Sequence, residues 1–130
     1  MAKAKWNKLP VFTIPLFHSA HVYLAVTKDE FQHADKFLGG NGNERPFNFG
    51  IASNYENTDT GERIYLIGVF DKQISTLVHE CAHVCFYVCS DVGVTTNPED
   101  ANETYCYMLD RMFSHFLPSI QEQQNAAKEG

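Results

Sequence analysis

Between residues 72 and 89 the apolar side chains Ile74, Leu77, Val78, Cys81, Cys85 and Val88 recur at intervals of three and four. That spacing lays them along one stripe of a largely buried helix, which should end near Gly93. Residues 11–17 and 21–26 are instead rich in β-branched and aromatic side chains, and Pro15 interrupts the first run. They predict an edge strand followed by a second strand. Over 28–38, Phe31, Ala34, Phe37 and Leu38 return to helical spacing behind Thr27, with Asp29 and Glu30 in the opening turn and Gly39-Gly40 at the close, so a first helix is expected there. The stretch 39–46 (GGNGNERP) reads as a loop.

Residues 47–53 and 63–70 predict two further strands joined as a hairpin across the polar segment 54–62, where Asp59-Thr60-Gly61 supplies the turn. Asn97-Pro98-Glu99-Asp100 then offers a polar cap, a proline at the first helical position and acidic residues in the first turn, opening a last helix that should run to about Leu117, before Pro118. The tails, about 1–9 and 121–130, read as solvated. The expected fold is one α+β domain over 1–130: a small, mainly antiparallel sheet packed on the buried helix and the last helix.

Composition narrows the function. The chain has 130 residues, 44% of them hydrophobic, which suits one domain with its own core. Ten Lys and Arg against sixteen Asp and Glu give a net charge of −6, so no basic field exists to bind phosphates, and nucleic acid is not expected as a partner. No apolar run approaches the roughly 18 residues of a membrane span, and no signal-peptide pattern opens the chain, so a cytoplasmic protein without a membrane partner is expected. Cys81, Cys85 and Cys89 fall on one face of one helix, where they read as small core residues with reduced thiols.

The chemistry lies on the strongest helix, which carries His79-Glu80-Cys81-Ala82-His83. Histidines at i and i+4 stand one turn apart on the same face and can reach one metal ion. The glutamate between them is turned by about 100° around the axis, which brings it near the metal without placing it in the coordination shell. Zn²⁺ acidifies a water that it binds and polarises a carbonyl, and a carboxylate beside it can take the proton. Glu80 is therefore the candidate general base, with His79 and His83 as zinc ligands.

Catalytic zinc takes three protein ligands and keeps one position open. Glu103, on the last helix, is the chosen third ligand, because the turn between Gly93 and Pro98 lets the two helices pack together. Asp91, Asp100, Asp110 and His115 are the alternatives. Tyr107, one turn beyond Glu103, is a candidate donor to the oxyanion. His18, His21 and His33 fit no ligand spacing and read as surface or locally bonded residues.

These residues resemble the small zincin-like metallopeptidases of tailed bacteriophages, in the arrangement where a glutamate is the third ligand. The resemblance spans about residues 30–117. It rests on Phe49-Gly50-Ile51-Ala52, the strand 63–70, Leu77-Val78-His79-Glu80-Cys81-Ala82-His83-Val84 and Glu103-Thr104-Tyr105-Cys106-Tyr107. It implies a minimal zincin-like fold, zinc on His79, His83 and Glu103, and Glu80 as base. Thr104 stands where many such sequences carry a small residue. The metzincin pattern is absent, since Phe86 and Cys89 occupy its glycine and third-histidine positions.

Two functions of different classes follow. In the first, the chain hydrolyses a peptide or protein substrate, the strand before the zinc helix offering its edge to an extended chain; a non-peptide amide would suit the same chemistry. In the second, the metal only staples two helices of a structural or interaction protein. Glu80 separates them, because a closed structural site has no use for a base.

Overall fold

A computed structural model describes residues 8–15, 20–40, 49–100 and 103–129. In chain order the elements are β1 (Val11–Thr13), β2 (Ala20–Ala25), α1 (Lys28–Phe37), β3 (Gly50–Glu56), β4 (Arg63–Val69), α2 (Ile74–Val92), a 3-10 turn (Pro98–Asp100) and α3 (Glu103–Glu129). The fold is α+β. Its four strands lie in the order β1-β2-β4-β3. The β1–β2 and β3–β4 pairs are antiparallel, and β2–β4 is parallel.

Central position explains why β4 is the most apolar strand. Its residues Tyr65 to Val69 are all buried, because helices cover both faces of the sheet. Tyr65, Ile67 and Val69 point into the main core with Leu77, Cys81, Val84, Met112 and Phe116 of α2 and α3. Leu66 points the other way, into a second cluster with Phe31 and Ala34 of α1. Two half-buried tyrosine hydroxyl bonds fasten helices to the sheet: Tyr55 donates to Asp35 of α1 at 2.5 Å, and Tyr65 donates to Asp91 of α2 at 2.5 Å. Arg63 pairs with the same Asp91 at 3.3 Å.

Local chemistry sets the element ends. Thr27 and Glu30 form a reciprocal capping box on α1. Gly93 closes α2 in the left-handed region at φ 75°, and the Val94 N–H returns to the Cys89 carbonyl at 2.8 Å. The β3–β4 hairpin is present, with β3 described from Gly50 and continuing beyond the expected end at Ser53 through Asn54 to Glu56. The reason is the turn: Asn57 Oδ1 accepts from the Asp59 and Thr60 N–H groups, and Gly61 sits at φ 76°, so the reversal is confined to Asn57–Glu62. The loop at 39–46 and His18 fall largely or wholly outside the described residues.

Three further expectations are corrected. Leu9, placed in the N-terminal tail, is buried in the second cluster, and the Pro10 carbonyl accepts from the Leu24 N–H at 3.1 Å. The Asn97-Pro98 signal opens a 3-10 turn rather than an α-helical one, with Asn97 Oδ1 accepting from the Glu99 N–H at 3.0 Å, and α3 is described from Glu103. Most plainly, α3 does not stop before Pro118 but runs through it to Glu129, so 121–129 is helical rather than a loose tail.

An interior proline costs a helix about 3 kcal/mol by removing an N–H and crowding the preceding turn. Packing beyond it compensates. Ile120 is completely buried, worth roughly 1.5–3 kcal/mol, and Gln124 Nε2 donates to the Lys72 carbonyl at 2.9 Å, tying the end of α3 to the start of α2. Pro118 itself is exposed, so Pro118→Ala removes the penalty and keeps the contacts. The variant should be more stable by about 1–3 kcal/mol, seen as a thermal midpoint raised by several degrees in circular dichroism. An unchanged or lowered midpoint would mean that the proline bend is needed to seat Ile120.

Candidate metal centre

Helix α2 divides its side chains sharply. Leu77, Glu80, Cys81, Val84, Cys85, Val88 and Cys89 are buried, while His79 and His83 stand on the outer face. The two imidazoles meet edge to face with their Nε2 atoms 3.2 Å apart. Two nitrogens held at about 2.0–2.1 Å by one tetrahedral zinc ion lie about 3.3 Å apart, so the pair already has the bite that such an ion requires. Glu80 completes the group: the ligand atoms of His79, Glu80 and His83 all lie within 4.8 Å of one another, and Glu80 Oε1 is 4.0 Å from His79 Nε2. The donor set of two imidazoles and a carboxylate can hold a metal ion.

Glu80 is only 5% exposed, although its two neighbours in the group are open to solvent. Burial pushes its carboxyl above the ordinary carboxylate range, and His79 and His83 pull in the opposite direction without cancelling that effect. The strand beside it matters. A Cβ added at Gly50 would lie 2.6 Å from Thr76 Cγ2, 2.8 Å from the Gly68 carbonyl and 3.2 Å from Glu80 Cγ. Glycine at this position thus lets the start of β3 lie directly against α2 and wall in the Glu80 side chain.

An open cleft of about 540 Å³ adjoins the group, lined by Phe49, Gly50, Asp71, Ser75, Thr76, His79 and Glu80. The turn that leads into α2 shapes its far end. Lys72 adopts φ 60°, a conformation few non-glycine residues tolerate, and Asp71 stands in for the missing side-chain cap at Gln73 by accepting from the Gln73 N–H at 3.1 Å and the Thr76 hydroxyl at 2.7 Å.

Other expected site residues lie elsewhere. Glu103 is the exposed first residue of α3 and does not belong to the close donor group. It nevertheless begins the turn of α3 that rests on the histidine segment: Tyr105 donates its hydroxyl to the Ala82 carbonyl at 3.3 Å, and its ring centroid is 4.8 Å from that of Phe86. Tyr107 is 60% exposed and lines a different cleft with Pro15, Thr104, Met108 and Arg111, so it is not brought to the His79–Glu80 cleft.

Three of the alternative ligands are engaged in other bonds. Asp91 is held by Tyr65 and Arg63, Asp110 accepts from the Ser114 hydroxyl at 3.5 Å, and His115 Nε2 meets the Val11 carbonyl at 2.6 Å. His21 Nδ1 is 3.1 Å from the Thr13 hydroxyl, in keeping with its local reading.

Strand β4, which precedes α2 and was expected to offer its edge, is instead interior; among the described residues β3 is the outer strand on that side. Phe49 and Gly50 of the cleft lie in a segment that carries the resemblance, whereas Asp71, Ser75 and Thr76 are cleft residues that the sequence does not single out. Of these three only Asp71 carries a signal, as a cap-type residue three positions before an apolar helical run.

All four cysteines are free thiols. Burial raises Cys81 and Cys89 above their ordinary value and pushes Cys85 up to about 12, whereas Cys106 is exposed. Because the thiolate is the reactive form, a native chain treated with an aromatic disulfide reagent at neutral pH should titrate one thiol quickly and all four after denaturation. Two or more fast thiols would contradict the packing of α2.

Among the described residues no helix is long and apolar enough to cross a membrane. No family model, no curated protein and no solved structure matches the chain.

Proposed function

We propose that the chain is a zinc-dependent hydrolase that cuts peptide bonds, with His79 and His83 as metal ligands and Glu80 as general base. The observation that carries this reading is the 3.2 Å approach of two exposed imidazole nitrogens beside a buried carboxylate at the wall of an open cleft. A hydrogen bond between two solvated imidazoles is a weak reason to hold them so close; a shared ion is a strong one. Zinc, when bound, supplies Lewis acidity toward a carbonyl oxygen and lowers the pKa of water.

The chain's own residues supply the rest. Burial makes Glu80 more basic than an ordinary carboxylate, which suits a group that accepts a proton near neutral pH and returns it to the leaving amine. The outer edge of β3 can pair with an extended peptide, and Phe49 and Gly50 at its start line the cleft.

Glu103 is the proposed third ligand: α3 rests on the His83 turn through Tyr105, and Glu103 is two residues away from that contact. This assignment agrees with the resemblance to zincin-like metallopeptidases. The stapling alternative is the weaker account, because Leu77, Val84, Met112 and Phe116 already join α2 and α3 through a buried core, leaving little for a metal staple to add.

The experiment is metal analysis of the purified chain followed by peptide-library cleavage, native against Glu80→Gln. Zinc near one per chain with Glu80-dependent cleavage supports the proposal. Zinc without any cleavage favours the stapled protein.

A further inference from the structure

The cleft that adjoins His79 and Glu80 has two chemically different ends. At one end are the proposed ligand and base. Toward the other, Ser75 and Thr76 lie four residues before His79 and Glu80, about 6 Å along the axis, and Asp71 is bonded to Thr76. Asp71 already accepts two hydrogen bonds, from the Gln73 N–H and the Thr76 hydroxyl, which fix its orientation. An ionised carboxylate has about four acceptor sites, so two remain for a ligand. Phe49, 67% exposed, supplies an apolar wall to the same cleft. Among the described residues that line it, none is a lysine or an arginine.

Resting on the hydrolase reading above, we propose that this cleft is a specificity pocket for a basic side chain, lysine or arginine, in a peptide substrate. A long methylene stem spans the turn that separates Glu80 from Asp71 while packing on the Phe49 ring, and the cationic head meets the Asp71 carboxylate. A neutral polar side chain would gain little from an aromatic wall, and an acidic one would face Asp71 as a like charge.

The test separates binding from cutting. The zinc-loaded full chain carrying Glu80→Gln is titrated with fluorescent alanine-based peptides that hold one central lysine, norleucine or glutamate, and anisotropy is read at low and high salt. The lysine peptide should bind about fivefold or more tighter than its norleucine isostere, with the advantage shrinking as salt rises. Adding Asp71→Asn should remove it, since asparagine keeps the helix-capping acceptor and lacks the charge. Phe49→Ala should weaken lysine and norleucine peptides alike.

Equal binding of lysine and norleucine peptides, an advantage that survives Asp71→Asn, or no peptide binding overturns the pocket assignment. The native chain is run in parallel against a peptide library. Cleavage without preference for basic residues overturns the pocket and leaves the hydrolase standing. An Asp71-dependent lysine preference with no cleavage supports the pocket and overturns the hydrolase.

Discussion

Glu80→Gln is expected to bind zinc as the native chain does, to melt at a midpoint no lower than native, and to hydrolyse its substrate about 10²- to 10⁴-fold more slowly. Gln fills the same volume, so the wall formed by Gly50 and Thr76 stays packed. It also needs no desolvation of a charge, whereas the Glu80 carboxyl is pushed upward by its burial, so the substitution relieves a cost of the folded state. What it lacks is a site that accepts a proton from water. Kinetics on any peptide found by library screening, with zinc quantified in the same samples, checks the prediction. A native rate in the variant would remove Glu80 from the chemistry, and loss of zinc would recast it as a ligand.

Much of this arrangement was legible in the sequence, and the reasons differ by element. Helix α2 was clear because a buried stripe at intervals of three and four and a terminal glycine at φ 75° both point to the same boundaries. Helix α1 was clear because its capping box is a local motif. The imidazole pair followed from helical geometry alone, since i and i+4 on one helix admit few distances. Harder to read was whatever depends on the partner of a residue. Pro118 speaks locally for a helix end, yet Ile120 and Gln124 hold the segment to the core and to Lys72, and tertiary contact wins.

The same limit applies to strand order. Nothing in residues 63–70 says that the strand is central rather than outer, except its unbroken apolar run, which the α1 layer on the second face requires. The cleft was illegible for this reason. Phe49, Asp71 and Thr76 come together only because β3 folds back beside β4 and Gly50 permits close approach to α2.

The metal ligands themselves give the other large effect. His79→Ala with His83→Ala should abolish stoichiometric zinc while leaving the fold of the metal-free chain intact, because both imidazoles lie on the outer face of α2 and neither fills the core. Each single substitution should weaken affinity by more than the 10- to 100-fold typical of losing a partner that only supports a ligand. Calorimetric titration with zinc, beside melting curves of the metal-free chains, separates binding from folding. Glu103→Ala extends the test to α3. It should lower affinity strongly, while Glu99→Ala, on the 3-10 turn, should not. Equal affinities for these two variants would take Glu103 out of the site and leave His79, Glu80 and His83 as the whole protein donor set, and zinc retained by the double histidine variant would remove the metal centre from this helix.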